Sequence, residues 1–224
     1  PLTPIRLSAE HLQRVGADDP SRLPEVLPRC TRNILRQVDA LREIASEFST
    51  YSRIPRARFA PVDLGALLRE LADGYRDAAH AGEGAEVVCD APDDDALVVV
   101  ADRRLLERAV RNLLENALRA SAGRGTVRLD AAADAADTQV VVRVADRGPG
   151  VETALLPRIF EPYFSTHDTG TGLGLPIVRR IVEEHDGTVH ARNRAGGGLE
   201  VVITMPLRHA HTAAVHPVPV VPSA

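Results

Sequence analysis

Two N-terminal stretches carry apolar residues at heptad spacing, and this spacing restricts the start of the chain to paired helices. The first stretch, residues 1–14, has its apolar positions at Leu2, Ile5, Ala9 and Leu12. The second stretch, residues 31–52, has them at Ile34, Val38, Leu41, Ala45 and Phe48. Such a seam is stable only when a facing helix covers it, so the two stretches predict a helical hairpin.

The segment between the two seams predicts the turn of this hairpin. It reads VGADDPSRLPE over residues 15–25, and Gly, Asp and Pro end helices and suit turns. Two short amphipathic helices bury little surface by themselves. We therefore predict that the seam closes against a second copy, as a dimeric four-helix bundle. The alternative is that the hairpin packs on the rest of its own chain.

The periodicity changes after the second seam, which predicts a domain boundary. Residues 53–63 contain two prolines, and Asp63 is placed to cap a helix over residues 64–79. Strands and helices then alternate, which predicts a mixed sheet covered on one face by helices. The predicted domains are a dimerisation hairpin over 1–59, a second domain over 60–207 and a flexible tail over 208–224.

The second domain is predicted element by element from its pattern. A long amphipathic helix over 102–121 has Asp102 as its N-cap, and a shorter helix lies near 173–185 and ends at Gly187. Val140, Val142 and Val144 alternate on one face of their strand. The predicted strands are 85–90, 96–101, 125–131, 138–145, 187–193 and 199–207.

Composition excludes several classes of function. The 224 residues are 44% apolar with a net charge of −4, so no basic field favours nucleic acid or an anionic membrane. All 27 basic residues are Arg. A Walker A loop, a eukaryotic-type protein kinase and Schiff-base chemistry each need a Lys and are excluded. The two cysteines are too few and too far apart for a disulfide framework or a zinc ribbon.

Three short segments have the residue types that bind a nucleotide. In the first, RNLLENALRAS, Asn112 and Asn116 are four residues apart and share a helix face, with Arg119 three residues further on. Carboxamide oxygens suit Mg²⁺, and a guanidinium suits phosphate. A solvated helix edge explains the same residues equally well when they are considered alone.

The second segment, ADRGPG, follows a strand. Asp146 can accept a hydrogen bond from an exocyclic amine, and Gly148 and Gly150 let the backbone approach a flat ring. The third segment, TGTGLGL, opens a helix with Gly170, Gly172 and Gly174, which expose amides to an anion. An ordinary turn and a glycine-rich connector are the alternatives for these two segments.

In this order the three segments resemble the N, G1 and G2 boxes of the ATPase fold that bacterial histidine kinases share with Hsp90-type chaperones and type II topoisomerases. RIFEPYFST, with Phe160 and Phe164, is similar to the F box of histidine kinases. The N-terminal hairpin resembles the dimerisation hairpin of the nitrogen-regulation (NtrY-like) branch. The resemblance covers residues 1–207 and implies an α+β protein, in which a helical hairpin precedes an α/β-sandwich ATPase domain.

The resemblance also implies a role for each site residue. Asn116 would bind Mg²⁺, with Asn112 and Arg119 at the phosphates of ATP. Asp146 would read the adenine amine beside Gly148 and Gly150, and Thr204 would reach adenine through water. The lid and its hinge would comprise Gly170, Gly172, Leu173 and Gly174. His167 stands where many relatives have a lid Lys, which would make that phosphate contact dependent on pH.

The implied activity is that of a protein-histidine kinase. ATP would phosphorylate a His, and the phosphoryl group would pass to an Asp of a response-regulator receiver domain. The acceptor in this family lies in a motif such as HEIKNPLTP, which places it five residues before Pro1. His11 is not assigned that role, so this chain alone is predicted not to phosphorylate itself. The resemblance further implies a cytoplasmic location, a homodimer through the hairpin, no direct membrane contact and an upstream inner-membrane anchor.

Two other functions fit the same boxes. A hydrolysing ATPase of this fold has a Glu as its base one turn before the metal-binding Asn, but that position is Asn112 here. Glu115 points about 100° away from Asn116 on the helix. A nucleotide-gated module that only binds partners is the second alternative. A serine kinase that acts on an anti-sigma partner has similar boxes but lacks the N-terminal hairpin.

Overall fold

The structure is a computed structural model that describes residues 2–52, 57–80, 86–92, 97–122, 125–136, 138–165 and 171–207. Of residues 40, 43–52 and 77–80 it describes the backbone alone. The chain forms two compact units, Pro1–Arg53 and Ile54–Ala224. The positions His167 and Gly170, the seam side chains Ala45 and Phe48, and the tail 208–224 lie outside this description. The predicted domain limits stay predictions.

The first unit is a helical hairpin, as predicted, but its turn is shorter. Helix α1 spans Leu2–Asp18 and α2 spans Leu23–Ser52, with a 3-10 turn at Pro20–Arg22 between them. The predicted break over 15–25 was therefore too long. Pro24 falls in the first turn of α2, where its missing N–H has no helical partner in any case, so the helix starts before it.

The two helices of the hairpin are joined by a small apolar cluster and by a partly buried hydrogen bond. Val15, Val26 and Cys30 are buried, and Leu12 and Leu23 pack against them. Asn33 Nδ2 donates to Ser8 Oγ over 2.8 Å. Several large apolar side chains of the same unit stay at least half exposed, namely Leu2, Leu7, Leu27 and Leu35.

The second unit has the predicted helices and strands, most within two residues of their predicted ends. Its helices are α3 (Leu64–His80), α4 (Arg103–Ala120) and α5 (Gly174–Glu184). Its strands are β1 (Ala60–Asp63), β2 (Glu86–Asp90), β3 (Val98–Ala101), β4 (Thr126–Ala133), β5 (Gln139–Ala145), β6 (Thr188–Asn193) and β7 (Leu199–Pro206).

Two elements of this unit were missed in the sequence. Strand β1 pairs antiparallel with β3 through Val62 and Val99, although Pro61 had indicated a break. A proline is tolerated there because, in the described residues, β1 pairs with β3 alone and one side of the strand needs no donor. A 3-10 helix at Thr153–Arg158 lies between β5 and α5, where the sequence analysis predicted neither a helix nor a strand.

The main sheet is mixed and packs its helices on one face. Within the described residues its order is β2-β4-β5-β7-β6, with β2 and β4 parallel and the other pairs antiparallel. Alternate residues of β5 are buried, as predicted for Val140, Val142 and Val144. Ile177 and Ile181 of α5 and Leu113 of α4 each have a relative exposure of 2% or less. These helices therefore pack into the core through their apolar stripes. Of the described helices, none is long and apolar enough to cross a membrane.

Candidate functional site

Helix α4 is fixed at its start by Asp102, as the sequence predicted. Asp102 Oδ1 accepts from the backbone N–H groups of Arg104 (3.0 Å) and Leu105 (3.3 Å), and Oδ2 accepts from Arg58 N (2.8 Å). Burial opposes ionisation of this carboxyl, but the hydrogen bonds, first from Arg58 N and then from Leu105 and Arg104, outweigh it and lower its pKa. His185 Nε2 accepts from Asp102 N over 3.0 Å, so α4 and the end of α5 are held together at this point.

Replacing Asp102 should therefore destabilise the second unit. We expect Asp102→Ala to lower the free energy of unfolding by about 1–2 kcal/mol at pH 7, because an N-cap and the bond to Arg58 N are lost. A carboxyl whose pKa is lowered on folding stabilises above its unfolded pKa of about 4, and loses this effect as the pH falls through the folded pKa. Urea unfolding at pH 7 and pH 3 should thus show a smaller difference between variant and wild type at pH 3. An equal difference at both pH values would contradict the role of the charge.

The polar edge of α4 faces the start of α5. Asn116 and Asn112 are half-buried on the predicted shared face, and Arg119 is exposed beyond them. A Cβ on Gly174, the first residue of α5, would lie 3.3 Å from Asn116 Nδ2. Arg119 Nη1 lies 3.5 Å from Asn116 Oδ1. The first and third motifs, far apart in sequence, are therefore in contact.

Asn112 carries a buried amide that lacks a partner. Its Nδ2 has no hydrogen bond to any residue that the structure describes. An unpaired buried donor costs about 1–3 kcal/mol, so such groups occur where a ligand or water completes them. The Asn112 amide is therefore suited to an anionic oxygen, as a phosphate would provide.

Asp146 is buried at the end of β5 and is held rigidly. Its Oδ1 accepts from Gly148 N (2.8 Å) and from Leu199 N (3.1 Å), and its own N–H donates to Leu199 O over 3.0 Å. Since both bonds use Oδ1, Oδ2 is the oxygen left to meet a flat ring. A Cβ on Gly148 would come within 2.6 Å of the Ala120 carbonyl oxygen, so the second motif packs against the end of α4.

Two residues at the end of β6, Asn193 within the strand and Arg194 directly after it, brace this loop and were not found from the sequence. Asn193 Oδ1 accepts from Val151 N (2.9 Å) while its Nδ2 donates to Val151 O (2.6 Å). Gly150 has a φ of +74°, and a Cβ there would lie 2.7 Å from Asn193 Oδ1. Arg194 Nη1 donates to the Asp146 carbonyl oxygen over 2.6 Å. A polar residue at the end of an edge strand has no sequence signal that distinguishes it from a residue of an ordinary turn.

The third motif forms a tight entry to α5. Gly172 has a φ of +68°, and its carbonyl oxygen accepts from Tyr163 N over 3.0 Å. A Cβ there would lie 2.6 Å from the Tyr163 carbonyl carbon, so only glycine fits. Leu173 is fully buried and therefore anchors the segment rather than presenting its side chain to solvent.

The Arg158 guanidinium lies 4.6 Å from the centroid of the Phe164 ring. This cation–π contact joins Phe164 to the first residue of the segment that resembles the F box, which is also the last residue of the 3-10 helix.

Thr204 is the predicted site residue that the structure does not bring to the others. On β7 it pairs with Val141, whereas Leu199 lies beside Asp146. Five residues separate Thr204 from Leu199, about 16 Å along a strand. The strand thus carries Thr204 away from the end of the sheet where Asp146 lies, and its assignment to adenine stays a prediction.

The comparisons with known proteins agree with this geometry. Residues 101–209 match the family described as Histidine kinase-, DNA gyrase B-, and HSP90-like ATPase. The chain is 34% identical to the nitrogen regulation protein NtrY of Azorhizobium caulinodans over 202 residues, which are 88% of this chain and 26% of NtrY. It thus spans about a quarter of the length of that relative.

Solved structures extend the likeness to three dimensions. The catalytic domain of the histidine kinase ThkA is 30% identical, with a TM-score of 0.59 over 67% of this chain and 96% of that domain. ThkA in complex with the response regulator protein TrrA is 27% identical, with a TM-score of 0.69 over 92% of this chain and 58% of that one. The predicted fold class and the resemblance to the nitrogen-regulation branch are confirmed, and the family supports ATP as the nucleotide. The chain belongs to the histidine kinase family.

Proposed function

We propose that this chain is the ATP-binding catalytic region of a sensor histidine kinase. It positions the γ-phosphoryl group for transfer to a histidine, from which the group passes to an aspartate of a response-regulator receiver domain. The observation that carries this proposal is the meeting of the three motifs, in which Asn116 contacts Gly174 and Gly148 packs on Ala120. Transfer of this kind depends mainly on positioning the phosphoryl group and on neutralising its charge. The three motifs that pack against each other would provide both.

Mg²⁺ fits the polar edge of α4. The described residues contain no group of three His, Cys, Asp or Glu that could hold a metal by themselves. Mg²⁺ commonly takes one or two protein oxygens and completes its shell with phosphate oxygens and water. Asn116 would supply the protein oxygen, the unpaired Asn112 amide would meet a phosphate oxygen, and Arg119 would offset negative charge. When bound, the ion neutralises the developing charge on the transferred group.

The surroundings of Glu115 argue against a hydrolysing ATPase. Tyr75 Oη donates to Glu115 Oε1 over 3.2 Å, which directs this carboxylate to α3. Two effects raise the pKa of Tyr75: burial of its hydroxyl, which is the larger, and the nearby charge of Glu115. The tyrosine therefore remains a hydrogen-bond donor at neutral pH. Asn112 is a poor base. No described carboxylate of α4 is therefore placed to activate water beside Asn116.

The partners follow from the same family. ThkA is known in complex with the response regulator protein TrrA, and we propose a receiver domain as partner here. We also propose a homodimer through the hairpin, supported by the leucines that its two helices leave exposed. Both partnerships are consistent with a protein that binds ATP in the cytoplasm, which is the location that we propose.

Transfer to a supplied histidine tests the proposal. The chain is mixed with a hairpin that carries the motif HEIKNPLTP and is incubated with γ-labelled Mg-ATP. We expect acid-labile, base-stable label on the added hairpin and none on this chain. Asn116→Ala should reduce labelling about tenfold at limiting Mg²⁺, because a metal ligand is lost.

Glu115→Ala is the matched control, since it removes the neighbouring side chain without touching the polar edge. It should label the hairpin like the wild type. Release of free phosphate that depends on Glu115, without label, would favour the hydrolase. Label on His11 would overturn the assignment of the acceptor.

A further inference from the structure

Ser121 holds a buried hydroxyl that lacks a partner. It ends α4 as the C-cap, where its backbone N–H donates to Ala117 O over 3.0 Å. The residue is 93% buried, since its relative exposure is 7%, and Oγ has no hydrogen bond to any part of the chain that the structure describes. The side chain continues the apolar face of α4 through Ala117, where a hydroxyl is out of place unless something pairs with it.

The position of Ser121 links it to the proposed base-binding end of the site. It directly follows Ala120, whose carbonyl oxygen would lie 2.6 Å from a Cβ on Gly148. Gly148 N in turn donates to Asp146 Oδ1 over 2.8 Å. The unpaired hydroxyl and the Asp146 carboxylate thus lie at the same end of α4, joined through one glycine. Ser121 therefore lies one residue beyond the point where the end of α4 packs against the loop that holds Asp146.

The two groups together match one edge of adenine. A carboxylate only accepts hydrogen bonds, and it suits the N6 amine of adenine. The neighbouring N1 of adenine is an acceptor and needs a donor, which a hydroxyl provides. Guanine presents the opposite order, an accepting O6 and a donating N1–H. A carboxylate would repel O6, so the pair distinguishes the two purines.

We propose that Ser121 Oγ donates a hydrogen bond to adenine N1, directly or through one water, while Asp146 accepts from N6. Ser121 is thereby a specificity-determining residue of the nucleotide site. This inference rests on the proposed ATP binding and adds a contact that the motif resemblance did not assign.

A comparison of analogues tests the contact on the full 224-residue chain. Calorimetry would measure the affinity of wild type and Ser121→Ala for Mg-ATP, for 1-deaza-ATP, which lacks the N1 acceptor, and for 7-deaza-ATP, which keeps it. We expect wild type to bind ATP about three- to tenfold more tightly than 1-deaza-ATP. Ser121→Ala should lose this preference, yet it should keep the wild-type ratio between ATP and 7-deaza-ATP.

Two further variants separate this contact from a structural effect. Ser121→Thr retains the hydroxyl and should keep the preference for ATP over 1-deaza-ATP. The melting temperature of Ser121→Ala should not fall, because the change removes an unpaired buried polar atom. If wild type binds ATP and 1-deaza-ATP equally, or Ser121→Ala keeps the full preference, Ser121 pairs only with a buried water and the inference is wrong. If wild type does not bind ATP at all, the proposed function fails instead.

Discussion

Asp146→Asn should reduce ATP affinity about tenfold to a hundredfold, while the loop around it stays folded. Oδ1 of Asp146 accepts from both Gly148 N and Leu199 N, and the asparagine oxygen can keep these two bonds. The new amide nitrogen must then take the place of Oδ2, because the reverse orientation would point donors at two backbone N–H groups. A donor would face the donating N6 amine of adenine, and a charge-assisted bond worth about 1.5–3 kcal/mol would be replaced by repulsion.

The same substitution should reverse the preference for the base. Hypoxanthine has an accepting O6 where adenine has its amine. Wild type should therefore bind inosine triphosphate more weakly than ATP, and Asp146→Asn should bind it more tightly than wild type does. Calorimetry with both nucleotides measures this exchange. Asp146→Ala serves as the comparison, since it removes the carboxylate without offering a donor. It should weaken ATP binding, and it should bind inosine triphosphate less tightly than Asp146→Asn does. Equal ATP binding by wild type and Asp146→Ala would refute the assignment of this pocket.

Asp130→Asn is a matched control for the loss of a charge. Asp130 is a partly buried carboxylate of β4 that pairs with Arg143 over 2.9 Å, and both alternate in sequence with the buried residues of their strands. It should leave the affinity for both nucleotides unchanged. A similar loss of ATP affinity in this variant would mean that net charge, rather than the oxygen beside the base, explains the effect of Asp146→Asn.

The architecture was predictable wherever a local pattern decides the outcome. The alternation of Val140, Val142 and Val144 defined a half-buried strand, and Asp102 before an amphipathic run defined a helix start. Both signals depend only on neighbours in sequence. Strand β1 has no such signal, because Pro61 argues locally for a break and pairing with β3 overrides it. The register of β7 is likewise set by tertiary pairing, so its sequence alone does not show how far Thr204 lies from Asp146.

The site was predictable as motifs but not as a set of supporting contacts. Asn116 and Asp146 belong to ordered boxes whose residue types suit metal, phosphate and base. Asn193 and Arg194 act through hydrogen bonds to a loop more than 40 residues away, and nothing near them in sequence indicates this. Ser121 became visible only through burial without a partner, which is a property of the packed structure.

The proposed homodimer should separate when charge is placed on the exposed leucines of α2. Leu27 and Leu35 are 50% and 56% exposed and lie about 80° apart on one side of the helix. Neither belongs to the cluster of Val15, Val26 and Cys30 that joins α1 to α2. Leu27→Glu with Leu35→Glu should therefore leave the hairpin folded. It should weaken dimerisation at least a hundredfold, because each buried leucine contributes about 1.5–3 kcal/mol and a buried unpaired carboxylate costs more.

Light scattering and sedimentation at micromolar concentration should report a monomer for this double variant and a dimer for the wild type. The control is Arg29→Glu with Arg32→Glu, which places the same groups at exposed polar positions of α2 and should leave the dimer intact. ATP affinity should be equal in all three proteins, because the motif residues all lie in the second compact unit. A wild-type chain that stays monomeric at high micromolar concentration would contradict the dimer. The leucines would then be covered by another segment of the protein. In that case the double variant would change the stability of the protein and leave its mass in solution unchanged.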